Sequence, residues 1–195
     1  MSKKIITLDL DNVIFDMTPL YQEAFRRANV PYVKPTNWDL YKSYDNITVI
    51  ENLSELFGDD FLYSMPVLDK KIHYLLNDLL ARPDLEVLFV TERKYKQPEK
   101  TFNQLRRAGI KCSFNQIYDQ HGKKSDILKD IIKPDMHYDD GPLVVSGCLD
   151  KGVPVTMISN NKTLYNHYLR DRVQHYNCLR RALQKTGVCN SGCVR

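Results

Sequence analysis

None of the 195 residues belongs to an apolar run of 18, the length a membrane-crossing helix needs. A signal segment is also lacking. Met1-Ser2-Lys3-Lys4 leads straight into a strand-like pattern, with no apolar signal core and no small-residue cleavage site. The expectation is a cytoplasmic protein with no membrane partner. There are no internal repeats and no low-complexity segments. An even cysteine set is missing too: five cysteines point to free thiols in a reducing compartment rather than to a disulfide framework. Negative charge is scarce in one place only. Residues 166–195 carry six basic side chains against Asp171 alone, +5, which leaves about −1 for the rest of a chain whose net charge is +4.

What remains is ordinary globular composition, 43% hydrophobic and 27% charged, and a length sufficient for one buried core plus a small insert. The informative stretch is Ile5-Ile6-Thr7-Leu8-Asp9-Leu10-Asp11-Asn12-Val13-Ile14. Its apolar start reads as a buried strand of a parallel sheet. Ligands of open α/β sheets sit at the carboxyl ends of strands. Two carboxylates placed there are too costly as unpaired core residues. They can share a divalent cation, while one attacks phosphorus and the other handles a proton.

The strand-then-polar pattern recurs. Residues 85–90 run into Thr91-Glu92-Arg93, residues 114–118 end at Asp119, and Met136-His137-Tyr138 runs into Asp139-Asp140-Gly141-Pro142. Residues 153–158 close the series. Helical patterns lie near 94–108, 124–132 and 142–150. This alternation predicts an α/β fold with a parallel sheet. Residues 16–66 are too long for a loop and carry helix-like pieces near 18–29 and 47–57. They predict a helical insert over the site, rich in aromatics (Tyr32, Trp38, Tyr41, Tyr44) that either meet a substrate or build a small core. The tail from Asn160 reads as one long helix with Tyr165, Tyr168, Leu169, Val173, Tyr176, Leu179 and Leu183 on one stripe. His175, Cys178, Cys189 and Cys193 could ligate zinc, but their spacing fits no standard finger, and core-facing side chains are the preferred reading.

Asp9/Asp11, Thr91, Lys124 and Asp139/Asp140 thus converge on one edge of the sheet. In order, LDLDNV, FVTER, KKSDIL and HYDDGP resemble the four motifs of the haloacid dehalogenase superfamily of phosphohydrolases over roughly residues 4–160. The place of the insert, Trp38-Asp39-Leu40 and the run from Phe61 to Leu80 look most like the 5′(3′)-deoxyribonucleotidase group. Gly141 after the paired acids and Asn12 after Asp11 depart from that pattern.

The resemblance implies a Rossmann-like core (residues 1–15 and 67–186), a small helical cap (16–66) and a flexible end (187–195). It implies Mg²⁺ held by Asp9, the Asp11 carbonyl and Asp140, with Asp139 close by. Asp9 would be the nucleophile and Asp11 the general acid and base. Thr91, Glu92 and Lys124 would bind phosphate, with Lys123 as the alternative lysine, and Trp38, Tyr41 and Tyr44 would meet the substrate. Thr91 could equally cap the helix after it, Asp16 is read as a cap for the next helix, and Arg93 as a residue behind the site or on the surface. The expected partner is a small phosphate ester, a nucleotide first, with a homodimer allowed. The alternatives are a nucleic-acid 3′ end tracked by the basic tail, another small ester, or an idle binding protein of the same fold.

Overall fold

A computed structural model describes residues 2–37, 39–93, 97–119, 122–159, 169 and 171–189, the side chains of residues 40 and 41 excepted. Six strands form one sheet: β1 Lys4–Leu8, β2 Leu85–Thr91, β3 Ile117–Asp119, β4 Met136–Asp139, β5 Val155–Ile158 and β6 His175–Tyr176. Their order is β3-β2-β1-β4-β5-β6 and every neighbouring pair is parallel. Successive side chains of a strand point to opposite faces. In β2, Val87 and Phe89 accordingly join one apolar cluster, and Leu88 and Val90 another. Helices α4 Ile72–Leu80, α5 Pro98–Arg107 and α8 Leu179–Lys185 supply the first cluster. The second receives α6 Lys124–Asp126, which continues as a π-helical turn to Ile132, and α7 Pro142–Asp150. The result is the expected Rossmann-like sheet covered on both faces.

Between β1 and α4 lie α1 Thr18–Arg27, α2 Leu40–Ser43, α3 Ile47–Leu56 and a 3₁₀ turn at Asp60–Ser64. Asp16, one residue ahead of the N-cap Met17, accepts from Thr18 N at 2.9 Å and so meets the first amide of α1. Leu20, Tyr21, Ala24 and Phe25 of α1 are buried with Val49, Ile50, Leu53 and Leu56 of α3. These side chains belong to the same apolar cluster as Ile6 and Leu8 of β1, so the inserted helices are continuous with the core beneath the sheet. The two ends of the inserted segment are tied together. Asp16 N donates to Pro66 O at 2.7 Å, Leu68 N donates to Ile14 O at 2.8 Å, and Phe15 bridges Val67.

Expectations for the tail and for the segment after β2 need correction. The tail is not one helix: residues 175–176 form β6 beside β5, and among the described residues of the tail only Leu179–Lys185 is helical. Met157 N donates to Gln174 O at 3.0 Å and Ser159 N to Tyr176 O at 2.8 Å, so pairing of the otherwise open edge of β5 overrides the helical stripe. Tyr165 and Tyr168 of that stripe fall outside the described residues. The helix expected from residue 94 begins at Pro98, and Thr91 ends β2 rather than capping it. His175, Cys178 and Cys189, disfavoured as zinc ligands by their spacing, form no metal-competent group here; among the described residues the only such cluster is Asp9, Asp139 and Asp140. Cys193 is not described. No helix among the described residues is long and apolar enough to cross a membrane.

Candidate active site

The carboxyl ends of four adjacent strands place Asp9, Thr91, Asp119 and Asp139 along one edge of the sheet. Beyond β1 the chain turns sharply: Ile14 N and Phe15 N both donate to Leu10 O, at 2.8 and 2.9 Å. The turn requires a left-handed residue, and Asn12 takes it with φ of 60°. Asn tolerates that region better than most residues, which accounts for its presence after the second acid.

Lys124 joins the two central strands. Its Nζ donates to Asp9 Oδ1 at 2.6 Å and to Asp139 Oδ2 at 2.8 Å, and it is buried. Lys123 makes no such contact among the hydrogen bonds of the site, so Lys124 is the lysine of the constellation. Two features hold its helix. The Glu92 carboxylate accepts from Lys124 N. Gly147 of α7 lets α6 approach closely, since a Cβ there would lie 2.9 Å from Ser125 Oγ. Asp139 is further held by Gly141 N at 2.7 Å and by His137 Nε2 at 3.0 Å, and His137 Nδ1 lies 2.9 Å from Thr7 Oγ1.

Burial pushes the Asp9 carboxyl up to about 7, with Asp139 and Asp11 adding to the rise and Lys124 opposing it. Burial works the other way on the lysine, but Asp139 and Asp9 hold the Lys124 ammonium far above its ordinary value. Asp139 faces a large burial penalty that Lys124 and His137 outweigh, so its carboxyl lies well below the usual range. Burial lowers His137 despite the pull of Asp139, which leaves a neutral imidazole. Lys124 and Asp139 are therefore the settled ion pair, and Asp9 is the acid whose charge is least supported by protein alone. Asp9, Asp139 and Asp140 each offer an oxygen, all within 4.8 Å of one another. Three buried carboxyl groups thus face one ammonium, and the lysine alone does not balance them all when ionised. Hard oxygens with excess negative charge fit a divalent cation.

These groups floor a cavity of about 390 Å³. Asp11, Thr91, Glu92 and Gly141 share its polar end; Met17, Tyr21, Ile50, Leu53 and Phe57 form an apolar wall from the inserted helices. Every sequence-expected residue of the four motifs is thus brought together. Glu92 is present in a different capacity from that expected. A carboxylate only accepts, and this one is turned to the amide of Lys124, so its side chain has nothing to donate to a phosphate oxygen.

The expected cap aromatics fare differently. Trp38 and the side chain of Tyr41 lie outside the described residues. Tyr44 is buried away from the cavity, edge-on to Phe25 at 5.0 Å, with its hydroxyl donating to Val33 O at 3.2 Å. Tyr32 packs on Phe25 as well, at 5.5 Å. Both are core aromatics of the insert. The aromatics at the cavity wall are instead Tyr21 and Phe57, which the sequence marks only as members of apolar helix faces. Arg93 lies against Asp11, the first of the two places the sequence allowed it, whereas His137 escaped sequence reading. The signal for His137 was available, because alternation puts it on the same face of β4 as Asp139.

No protein-family model matches the sequence, and no curated protein does. Similarity to solved structures is broad. A haloacid dehalogenase-like family hydrolase from Streptococcus pneumoniae superposes with a TM-score of 0.62 at 13% identity, covering 89% of this chain and 92% of that one. A HAD family hydrolase from Deinococcus radiodurans, with bound phosphate and sodium, gives 0.60 at 13% identity and covers 96% and 98%. A HAD-like protein of Bacillus subtilis bound to magnesium gives 0.57 at 13% identity and covers 96% and 100%. Identities this low speak for architecture alone, and the architecture is that of the haloacid dehalogenase-like hydrolases.

Proposed function

We propose that this protein is a Mg²⁺-dependent phosphomonoesterase working through an aspartyl-phosphate, with nucleoside monophosphates as substrates. The observation that carries the reading is the Lys124 ammonium spanning Asp9 and Asp139 at the floor of a cavity whose opposite wall is apolar and aromatic. A phosphate dianion would be repelled by carboxylates alone. The buried lysine and a cation at Asp9 and Asp140 offset that repulsion. Asp140 is the candidate ligand that the superfamily resemblance implies, and Asp139, held by Lys124, His137 and Gly141, lies beside it. Bound there, Mg²⁺ supplies charge neutralisation and orients the phosphoryl oxygens.

The protein's own groups carry the chemistry. An Asp9 oxygen attacks phosphorus, and the bond to the ester oxygen breaks with its electron pair on that oxygen. Asp11 gives the departing oxygen a proton. In the second half Asp11 takes a proton from water, whose oxygen attacks the same phosphorus. Inorganic phosphate leaves and the Asp9 carboxylate returns. Thr91 and Lys124 hold the phosphoryl oxygens meanwhile.

The substrate class is read from the wall. Tyr21 and Phe57 present aromatic surface, and the cavity size suits a ligand of nucleoside dimensions. The basic tail lends little to the nucleic-acid alternative. Arg172 pairs with Asp150 at 2.8 Å and Arg180 with Asp69 at 2.7 Å. The test is phosphate release with Mg²⁺ across deoxyribonucleotides, ribonucleotides, sugar phosphates and 3′-phosphorylated oligonucleotides. Nucleoside monophosphates should give the highest kcat/KM. Preference for sugar phosphates or oligonucleotide ends would overturn the substrate assignment, and no release from any ester would overturn the activity.

A further inference from the structure

Arg93 stands directly behind Asp11. Its NH2 group donates to Asp11 Oδ1 at 2.6 Å and its Nε to Oδ2 at 3.2 Å, so one guanidinium edge holds both carboxylate oxygens. The Arg93 side chain is 1% exposed and the Asp11 side chain 23%. Both residues line the cavity, but the cation is almost wholly buried there, while the carboxylate it grips is the more open of the two. The far edge of the guanidinium is anchored too. Its NH1 group donates to Gln104 Oε1 at 2.9 Å and to Thr101 Oγ1 at 3.3 Å, both buried on α5. Gln104 is itself oriented, since its Nε2 donates to Leu62 O at 3.3 Å. The Tyr63 ring packs on the guanidinium at 5.1 Å.

A buried arginine fixed on both edges and on one face cannot swing to meet a ligand. We propose that Arg93 is a positioning residue: it aims the Asp11 carboxyl at the oxygen that leaves phosphorus. The inference rests on the phosphomonoesterase reading above. The planar fork sets the plane of the carboxyl group as well as its distance, which a point charge does not. When Asp11 has passed its proton to the leaving oxygen, the carboxylate left behind lies in full contact with the guanidinium. Bond breaking at phosphorus is then helped in proportion to how badly the departing group needs a proton. This differs from a phosphate-binding arginine, which would help every ester alike.

The test compares two esters of similar size. Benzyl phosphate departs as an alkoxide and needs the proton; 4-nitrophenyl phosphate departs as a stable phenolate and does not. Arg93→Gln should lower kcat/KM for benzyl phosphate about 100-fold, the scale of general acid catalysis, and that for 4-nitrophenyl phosphate by no more than about threefold. Arg93→Lys should restore part of the benzyl rate, since an ammonium can hold one oxygen but cannot fork. In an Asp11→Asn background, Arg93→Gln should cause no further loss on benzyl phosphate, because the two residues act as a unit. Equal losses on both esters, or additive losses with Asp11→Asn, would overturn the assignment. If the Arg93 variants do not fold, Gln104→Met loosens only the far anchor. It should show the same preference for harming benzyl phosphate, about tenfold, as expected of a small misplacement; loss without that preference also overturns the proposal. Wild-type protein inert toward both esters removes the phosphomonoesterase reading and this one with it, whereas an active wild type with uniform variant losses removes Arg93 alone.

Discussion

The residue on which the proposed chemistry turns is Asp9, and it sits in the least comfortable electrostatic position of the site. Asp9→Asn should abolish turnover and the acid-stable phosphoryl label on the protein, because an amide does not attack phosphorus. It should leave the melting temperature unchanged or raised, since a buried carboxyl repelled by Asp139 and Asp11 is relieved. Activity retained in that variant would remove Asp9 as nucleophile. Lys124→Met tests the opposite sign. Removing the one cation that Asp9 and Asp139 share should cost about 3–5 kcal/mol in denaturant unfolding, the scale for breaking a buried pair from one side. A loss below about 1 kcal/mol would mean that the carboxylates are compensated elsewhere. Phe57→Ala should raise KM for nucleoside monophosphates and leave a small aryl phosphate nearly unaffected, as expected if its ring meets the leaving nucleoside. At this scale the sequence is most legible where chemistry restricts the choice of side chain. Asp9, Asp11, Thr91, Lys124, Asp139 and Asp140 could be named because few residue types suit the proposed chemistry at strand ends and at the start of a helix. Tyr21 and Phe57 could not, because an aromatic on an apolar helix face looks the same whether it meets a ligand or a neighbouring helix.

Elements follow a parallel logic. Strands β1 and β2 announce themselves as short apolar runs, and β4 by the paired acids that follow Met136-His137-Tyr138. Helices α1, α3 and α7 appear close to their expected bounds, with Pro at the first turn of α1 and α7 and Asn46 accepting from Val49 N ahead of α3. The tail shows what local pattern cannot convey. A three- and four-residue stripe there competes with a sheet edge that needs a partner, and only tertiary context reveals the edge. Helix α8 then docks through Leu179, Ala182 and Leu183 and through Arg180, whose guanidinium meets Asp69 ahead of α4. Burial works against the Asp69 charge, but the Lys71 amide and Arg180 hold its carboxyl below the usual range. A depressed carboxyl contributes stability above its unfolded value and loses it as pH falls. Arg180→Ala should therefore lower stability by up to about 1 kcal/mol at neutral pH, the scale of a part-exposed pair. The gap from wild type should close on acidification, and a gap that persists in acid would assign the effect to lost packing instead.

For the molecule as a whole, the sheet order puts β1 between β2 and β4, so the acids of β1 and β4 meet across one strand spacing. That juxtaposition supports the proposed cation site, which is testable through stability. Mg²⁺ should raise the melting temperature of the wild type in a concentration-dependent way, by linkage to the folded form. Asp140→Asn should abolish the rise, and an undiminished rise in that variant would remove Asp140 from the cation site.

The tie between residues 14–16 and 66–68 has a consequence for how such a molecule can vary. Because the two ends of the inserted segment are hydrogen-bonded to each other, the sheet experiences that segment as a closed loop. Closing a loop costs only about 0.6 kcal/mol more for each doubling of its length. The joint is thus a point of low thermodynamic resistance to lengthening, shortening or exchange. A shorter or longer set of helices could be grafted there at little entropic cost to the sheet, provided it covers the apolar surface that α1 and α3 now shield. Substrate preference and scaffold stability can then diverge independently within one continuous chain.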